Sequence, residues 1–79
     1  MSPAERSALL NLAFNWRKSN REYEGGVVLI WQLSVYGWKD ALRDVNEEQP
    51  GAFAIDVEGN IFVAEGGDSY TGADQWVVQ

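Results

Sequence analysis

Five consecutive apolar residues, Val27-Val28-Leu29-Ile30-Trp31, follow a glycine pair and constrain this chain more than any other segment. The run is β-branched and aromatic, and with Gln32 it reads as a strand. Side chains on a strand alternate, so Val27, Leu29 and Trp31 point to one face and Val28 and Ile30 to the other. A strand that is apolar on both sides belongs inside a sheet with cover over both faces. A chain of 79 residues has material for one domain and little to spare, so the identity of each cover becomes the central question.

One cover is an N-terminal helix. Ser2-Pro3-Ala4-Glu5 places serine at the N-cap, proline at N1 and glutamate at N3 of a capping box. The helix is expected from Pro3 to about Ser19, fraying through residues 20–24 until Gly25-Gly26 ends it. Leu9, Leu10, Leu12, Ala13, Phe14 and Trp16 share an arc of about 200°. That is wider than one sheet face needs, which leaves Trp16 as a candidate interface residue. If Val28 and Ile30 lie away from the helix, they need a loop, a second subunit or a partner over them.

Leu33-Ser34 is expected to turn the chain into a second strand, Ser34 to Trp38. Asp40 to Val45 reads as a helical turn and Asn46 to Gly51 as an acidic loop. Residues 52–56 and 60–64 flank Val57-Glu58-Gly59 as a hairpin, with glycine where a positive φ is wanted. A glycine-rich loop at 66–72 leads to a short last strand, Gln75 to Val78. The order predicts a single α+β domain over residues 1–79. One N-terminal helix (1–24) packs on a four- to five-stranded, mostly antiparallel sheet (25–79).

Composition removes much chemistry. The chain has no cysteine and no histidine, so a thiolate nucleophile, a disulfide, a thiolate zinc site and an imidazole base are all excluded. The carboxylates fall in no acid/base arrangement, and Lys39-Asp40 beside Arg43-Asp44 reads as a solvated segment. A non-enzyme without cofactor is expected. Glu65, Asp68 and Asp74 have no EF-hand spacing, so an ordinary turn is expected there rather than a metal site, with Asp68 bonding to nearby amides. The loop also lacks the lysine and spacing of a phosphate cradle. No apolar run approaches a membrane span, and the first residues lack a basic-then-apolar signal pattern, so a cytoplasmic chain is expected.

Twelve acids against six bases give a net charge of −6, wrong for an ordinary nucleic-acid binder. All six bases lie in residues 1–43, whereas residues 44–79 hold eight acids and no base. One reading is a solubility surface. The other is a surface that binds a basic partner or competes with nucleic acid for one. Tyr36, Trp38, Tyr70 and Trp76 each lie near a loop or strand end, and partial exposure is expected of them. Exposed Tyr and Trp make good interface anchors.

From Gly25 onward the chain resembles the ArdR-type antirestriction proteins of plasmids, integrative elements and phages. The resemblance is carried by G-G-V-V-L-I-W at 25–31, V-Y-G-W-K at 35–39, L-R-D at 42–44 and P-G-A at 50–52. It continues through A-I-D-V-E-G-N at 54–60 and A-E-G-G-D-S-Y-T-G-A-D-Q-W at 64–76. About two-thirds of the chain is covered, and no catalytic residue is carried over. The resemblance implies a counter-defence protein encoded by a mobile element, of anti-CRISPR or antirestriction type. Charge and resemblance together suggest a binding inhibitor that blocks the basic nucleic-acid site of a host defence nuclease or Cas subunit, with no direct nucleic-acid or membrane binding. The candidate contact patch is Glu47, Glu48, Glu65, Asp68, Tyr70, Asp74 and Trp76. The alternative is a small regulatory or structural interaction module, self-associating as a homodimer.

Overall fold

Ser2 opens the helix by accepting a hydrogen bond from the Glu5 amide at 3.1 Å, and in the computed structural model, which describes residues 1–79, helix α1 runs Pro3–Ser19. The following residues do not fray. Asn20 donates its side-chain amide to the Trp16 carbonyl at 2.8 Å, and Tyr23 folds back between Trp16 and Trp38, its ring centroid 5.6 and 5.2 Å from theirs. The Arg17 guanidinium then reaches the sheet, donating to the carbonyls of Gly25 (2.6 Å), Gly26 (3.1 Å) and Ile55 (3.1 Å). Burial lowers the Arg17 pKa against the opposing pull of Asp56.

Five strands follow: β1 Val27–Trp31, β2 Ser34–Lys39, β3 Phe53–Asp56, β4 Ile61–Glu65 and β5 Gln75–Val78. They form one antiparallel sheet in the order β2-β1-β3-β4-β5, so the protein is an α+β domain with one helix on a five-stranded sheet. The doubly apolar β1 is an interior strand, buried at Val27, Val28, Leu29 and Ile30. The β3–β4 hairpin is closed by Asp56, whose carboxylate accepts from the amides of Glu58 (3.0 Å) and Asn60 (2.8 Å) and from the Asn60 side chain (3.0 Å). Partial burial raises the Asp56 pKa, but these bonds and the Arg17 charge outweigh it and hold the carboxyl below the usual range.

The helix lies on the Val28 and Ile30 face. Leu9 and Ala13 join Val28, Ile30, Ile55 and Ile61 in the main core, with Trp16, Val35 and Trp38 packed around it. Trp16 is therefore a core-edge residue rather than an interface residue, whereas Phe14 is 61% exposed, with the Lys18 ammonium 5.4 Å from its ring centroid. The opposite face is covered by the chain itself. Residues 40–52 cross from the end of β2 to the start of β3, setting Leu42 against Val27, Leu29 and Ala54, and Val45 against Ala52, Ala64 and Ala73. No second subunit is needed to bury β1. This crossing contains one 3-10 turn, at Val45–Glu47, in place of the helical turn expected at Asp40 to Val45.

The β1–β2 turn is Gln32-Leu33, one residue earlier than expected, and Ser34 already pairs with Trp31. Both turn residues have positive φ, 51° and 61°, as a two-residue hairpin of primed type demands. Such a conformation costs side-chain-bearing residues roughly 1–2 kcal/mol each. Replacing Gln32-Leu33 by Asn-Gly should therefore stabilise the domain by about 1–2 kcal/mol, since Leu33 is exposed and gives up little packing. Thermal melting is the measurement, and an unchanged midpoint would mean that these residues hold their angles without cost.

The second irregularity in this hairpin is a bulge. Leu29 pairs with Gly37 but Ile30 pairs with Val35, which leaves Tyr36 as an extra residue. Val35 and Trp38, three apart, can then both pack on the helix side, and Tyr36 turns toward the crossing segment.

Candidate interaction surface

Antiparallel pairing brings the loop before β3 and the loop after β4 to the same end of the sheet. They are joined there through backbone. The Ala73 amide donates to the Glu48 carbonyl at 3.0 Å and the Gly51 amide to the Ala64 carbonyl at 2.8 Å, while the Asp74 amide closes the second loop on the Glu65 carbonyl at 2.9 Å. Gly72, with φ 87°, lies so close to the Asn46 carbonyl that any Cβ would strike it, so glycine is required where the loops touch.

The tip of the second loop is organised by Asp68. Its carboxylate accepts from the amides of Thr71 (2.7 Å) and Tyr70 (2.9 Å) and from the Thr71 hydroxyl (3.0 Å). The Thr71 amide and hydroxyl, then the Tyr70 amide, hold the Asp68 pKa below the ordinary carboxylate value. A backbone bridge between Asp68 and Gly72 closes the turn. It presents Tyr70 at 95% exposure, with Glu65, Asp68 and Asp74 exposed around the loop and no ion pair to any of them.

The rest of the expected patch behaves differently. Glu48 is not a surface charge. It is buried, its Oε1 accepts from the Tyr36 hydroxyl at 2.6 Å, and its Oε2 meets the Lys39 ammonium at 2.8 Å. Lys39 also pairs with Glu47 at 2.9 Å, and Glu47 stays exposed. Burial works against the charged ammonium, but the bonds to Glu48 and Glu47 prevail and raise the Lys39 pKa. Burial, and then the bond to Glu48 and its charge, push the Tyr36 phenol well up. Lys39, a base of the N-terminal half, thus sits among the acids of the C-terminal half. Arg43 adds to this by pairing with Asp40 at 2.9 Å and with Asp44.

Trp76 is half-buried and packs over both clusters on the crossing-segment face, its indole N–H 3.5 Å from the Arg43 carbonyl. It seals the core more than it projects. Trp38 likewise packs on the helix side and donates to the Gly25 carbonyl at 3.1 Å, while Tyr36 is 48% exposed. Glu65, Asp68, Tyr70 and Asp74 therefore form the free rim, with Glu47 on the adjoining loop.

Two grooves open on the surface. One, about 230 Å³, lies between Trp31, Tyr36, Glu47, Glu48, Gln49 and Ala52. The other, about 370 Å³, runs between α1 and the β3–β4 turn past Leu10, Phe14 and Val57. The first was illegible in sequence because the bulge that turns Tyr36 is a property of strand pairing. No group of three or more potential metal-ligating side chains converges anywhere in the fold, and no helix is long and apolar enough to cross a membrane. Comparison with protein-family models, curated proteins and solved structures gives no match to this chain.

Proposed function

We propose that this protein is a non-catalytic binding inhibitor of a bacterial defence nuclease, a CRISPR–Cas subunit or a restriction enzyme. It is encoded by a mobile element and acts in the host cytoplasm. The observation that carries this reading is the unpaired acidic rim of Glu65, Asp68 and Asp74 around the fully presented ring of Tyr70. Carboxylates standing where phosphates would sit occupy a basic channel without chemistry, and their field steers the encounter. The same charge repels nucleic acid, so the partner is protein. The resemblance to antirestriction proteins supports the same class of target.

Capture on the immobilised protein from a defence-competent bacterial lysate should retain a nuclease or Cas subunit, and expression should protect phage DNA. Neutralising the rim with Glu65→Gln, Asp68→Asn and Asp74→Asn should slow association about tenfold at low salt and flatten its salt dependence. The asparagine at 68 retains an acceptor for the loop amides, so the fold should survive. Unchanged inhibition with an unchanged salt dependence would reduce the acidity to a solubility device. A self-associating interaction module is the second reading, favoured by the exposure of Phe14 and Val57 beside the helix-side groove. A strictly monomeric species in sedimentation equilibrium at micromolar concentration removes it.

A further inference from the structure

The groove between the β2 bulge and the loop before β3 is built unlike the rest of the acidic end. Trp31 and Tyr36 give it aromatic walls, Ala52 lines its apolar side, and Glu47, Glu48 and Gln49 supply polar groups around about 230 Å³. Its parts are held in place. Both Glu48 oxygens are engaged, one by Tyr36 and one by Lys39, and the Trp31 ring lies against Gly51, where an added Cβ would come within 3.3 Å of it.

Its charge is not balanced. Lys39 is shared between Glu47 and Glu48, so these three groups carry a formal net charge of −1. The nearby Arg43 is committed to Asp40 and Asp44. The groove thus sets a half-exposed tyrosine ring and a tryptophan beside a charge cluster with a formal net of −1.

We infer that this groove receives an arginine side chain of the protein partner. A guanidinium is planar and weakly hydrated, stacks on Trp and Tyr faces, and donates in a fork to a carboxylate, here the exposed Glu47. An ammonium would satisfy the charge but not the stacking, and an anion would be repelled. This inference rests on the reading of the acidic end as a docking surface for a basic protein, and it assigns one specific contact within that surface. The rim carboxylates of Glu65, Asp68 and Asp74 supply steering, and the groove supplies a second anchor point beside the Tyr70 ring.

The test uses the intact domain and two blocked tripeptides, Gly-Arg-Gly and the same peptide with citrulline, which keeps the shape and loses the charge. Titration is followed by NMR at the Trp31 indole N–H, assigned by its disappearance in Trp31→Phe. The arginine peptide should shift this signal, the citrulline peptide should bind at least tenfold more weakly, and Glu47→Gln should weaken the arginine peptide at least fivefold. Glu47 is exposed, so its replacement leaves the fold intact, and the amide spectrum confirms this. Equal binding of both peptides, no shift at Trp31, or wild-type affinity in Glu47→Gln overturns the assignment. No defence protein enters the titration, so its failure leaves the rim-neutralisation result standing. Conversely, arginine-specific shifts together with a failed lysate capture would keep the groove and remove the nuclease.

Discussion

Replacing Lys39 by methionine should cost about 3–5 kcal/mol of folding stability at neutral pH, a large share of what a small domain possesses. The expectation follows from what the substitution leaves behind. Lys39 and Glu48 have side chains only 12% and 5% exposed, and the ammonium lies 2.8 Å from one carboxylate and 2.9 Å from the other. It also donates to the carbonyls of Arg43 and Asp44, at 3.4 and 3.3 Å. Methionine fills similar volume but strands the Glu48 carboxylate with the Tyr36 hydroxyl as its one remaining side-chain partner. Removing one member of a buried pair costs more than the pair contributes, because the survivor keeps its desolvation penalty.

The pH dependence has a definite sign. In the parent, the raised Lys39 pKa contributes stability that is present below 10.5 and lost as pH rises past the folded value. The deficit of the variant relative to the parent should therefore be full at neutral pH and narrow as pH rises past that value. Urea unfolding from neutral to alkaline pH measures this. The double variant Lys39→Met, Glu48→Gln should recover part of the loss, since glutamine still accepts from Tyr36. A deficit below about 1 kcal/mol, or one that does not change with pH, would show that water reaches the pair and that the crossing segment covers the sheet without it.

What the sequence discloses here follows the range of the interactions concerned. Ser2, Pro3 and Glu5 set the helix start within a few residues, Gly59 and the Asp56 to Asn60 bonds close the hairpin locally, and the apolar run of β1 reports its own double burial. These features were legible because their causes lie next to them in the chain. The Gln32-Leu33 turn was not, since a left-handed pair without glycine or asparagine carries no compositional signature. Nor was the fate of Glu48, which depends on a bulge at Tyr36, a lysine nine residues earlier and a crossing segment whose Leu42 and Val45 find the free sheet face. The same crossing sets Lys39 among the acids, so a charge division that is clear along the chain is blurred at that point. Of the candidate contact residues, Glu65, Asp68, Tyr70 and Asp74 are displayed as their loop composition suggests. Glu48 and Trp76 were drawn into the structure by contacts that no local pattern announces.

That difference decides which aromatic can be tested for binding. Trp76 packs on two buried clusters, so its truncation would lower stability and binding together, and the two losses could not be separated. Tyr70 is 95% exposed and contributes no side-chain contact to the core, so Tyr70→Ala should leave the unfolding midpoint unchanged. If the acidic end docks on a nuclease, the same substitution should weaken binding by about 2 kcal/mol or more, close to thirtyfold. The reason is presentation. Asp68 ties the backbone amides of Tyr70 and Thr71 into a closed turn, so the ring is offered on a fixed base and loses little conformational freedom on docking. Tyr70→Phe should retain most of the affinity if the ring face makes the contact, and Asp68→Ala should mimic Tyr70→Ala in part by loosening the turn. Dissociation rates measured against the captured nuclease subunit separate these effects, because an anchor slows dissociation while the rim charges act on association. Wild-type dissociation in Tyr70→Ala would move the anchor away from this loop, and the exposed Phe14 and Val57 beside the helix-side groove would become the surface to truncate next.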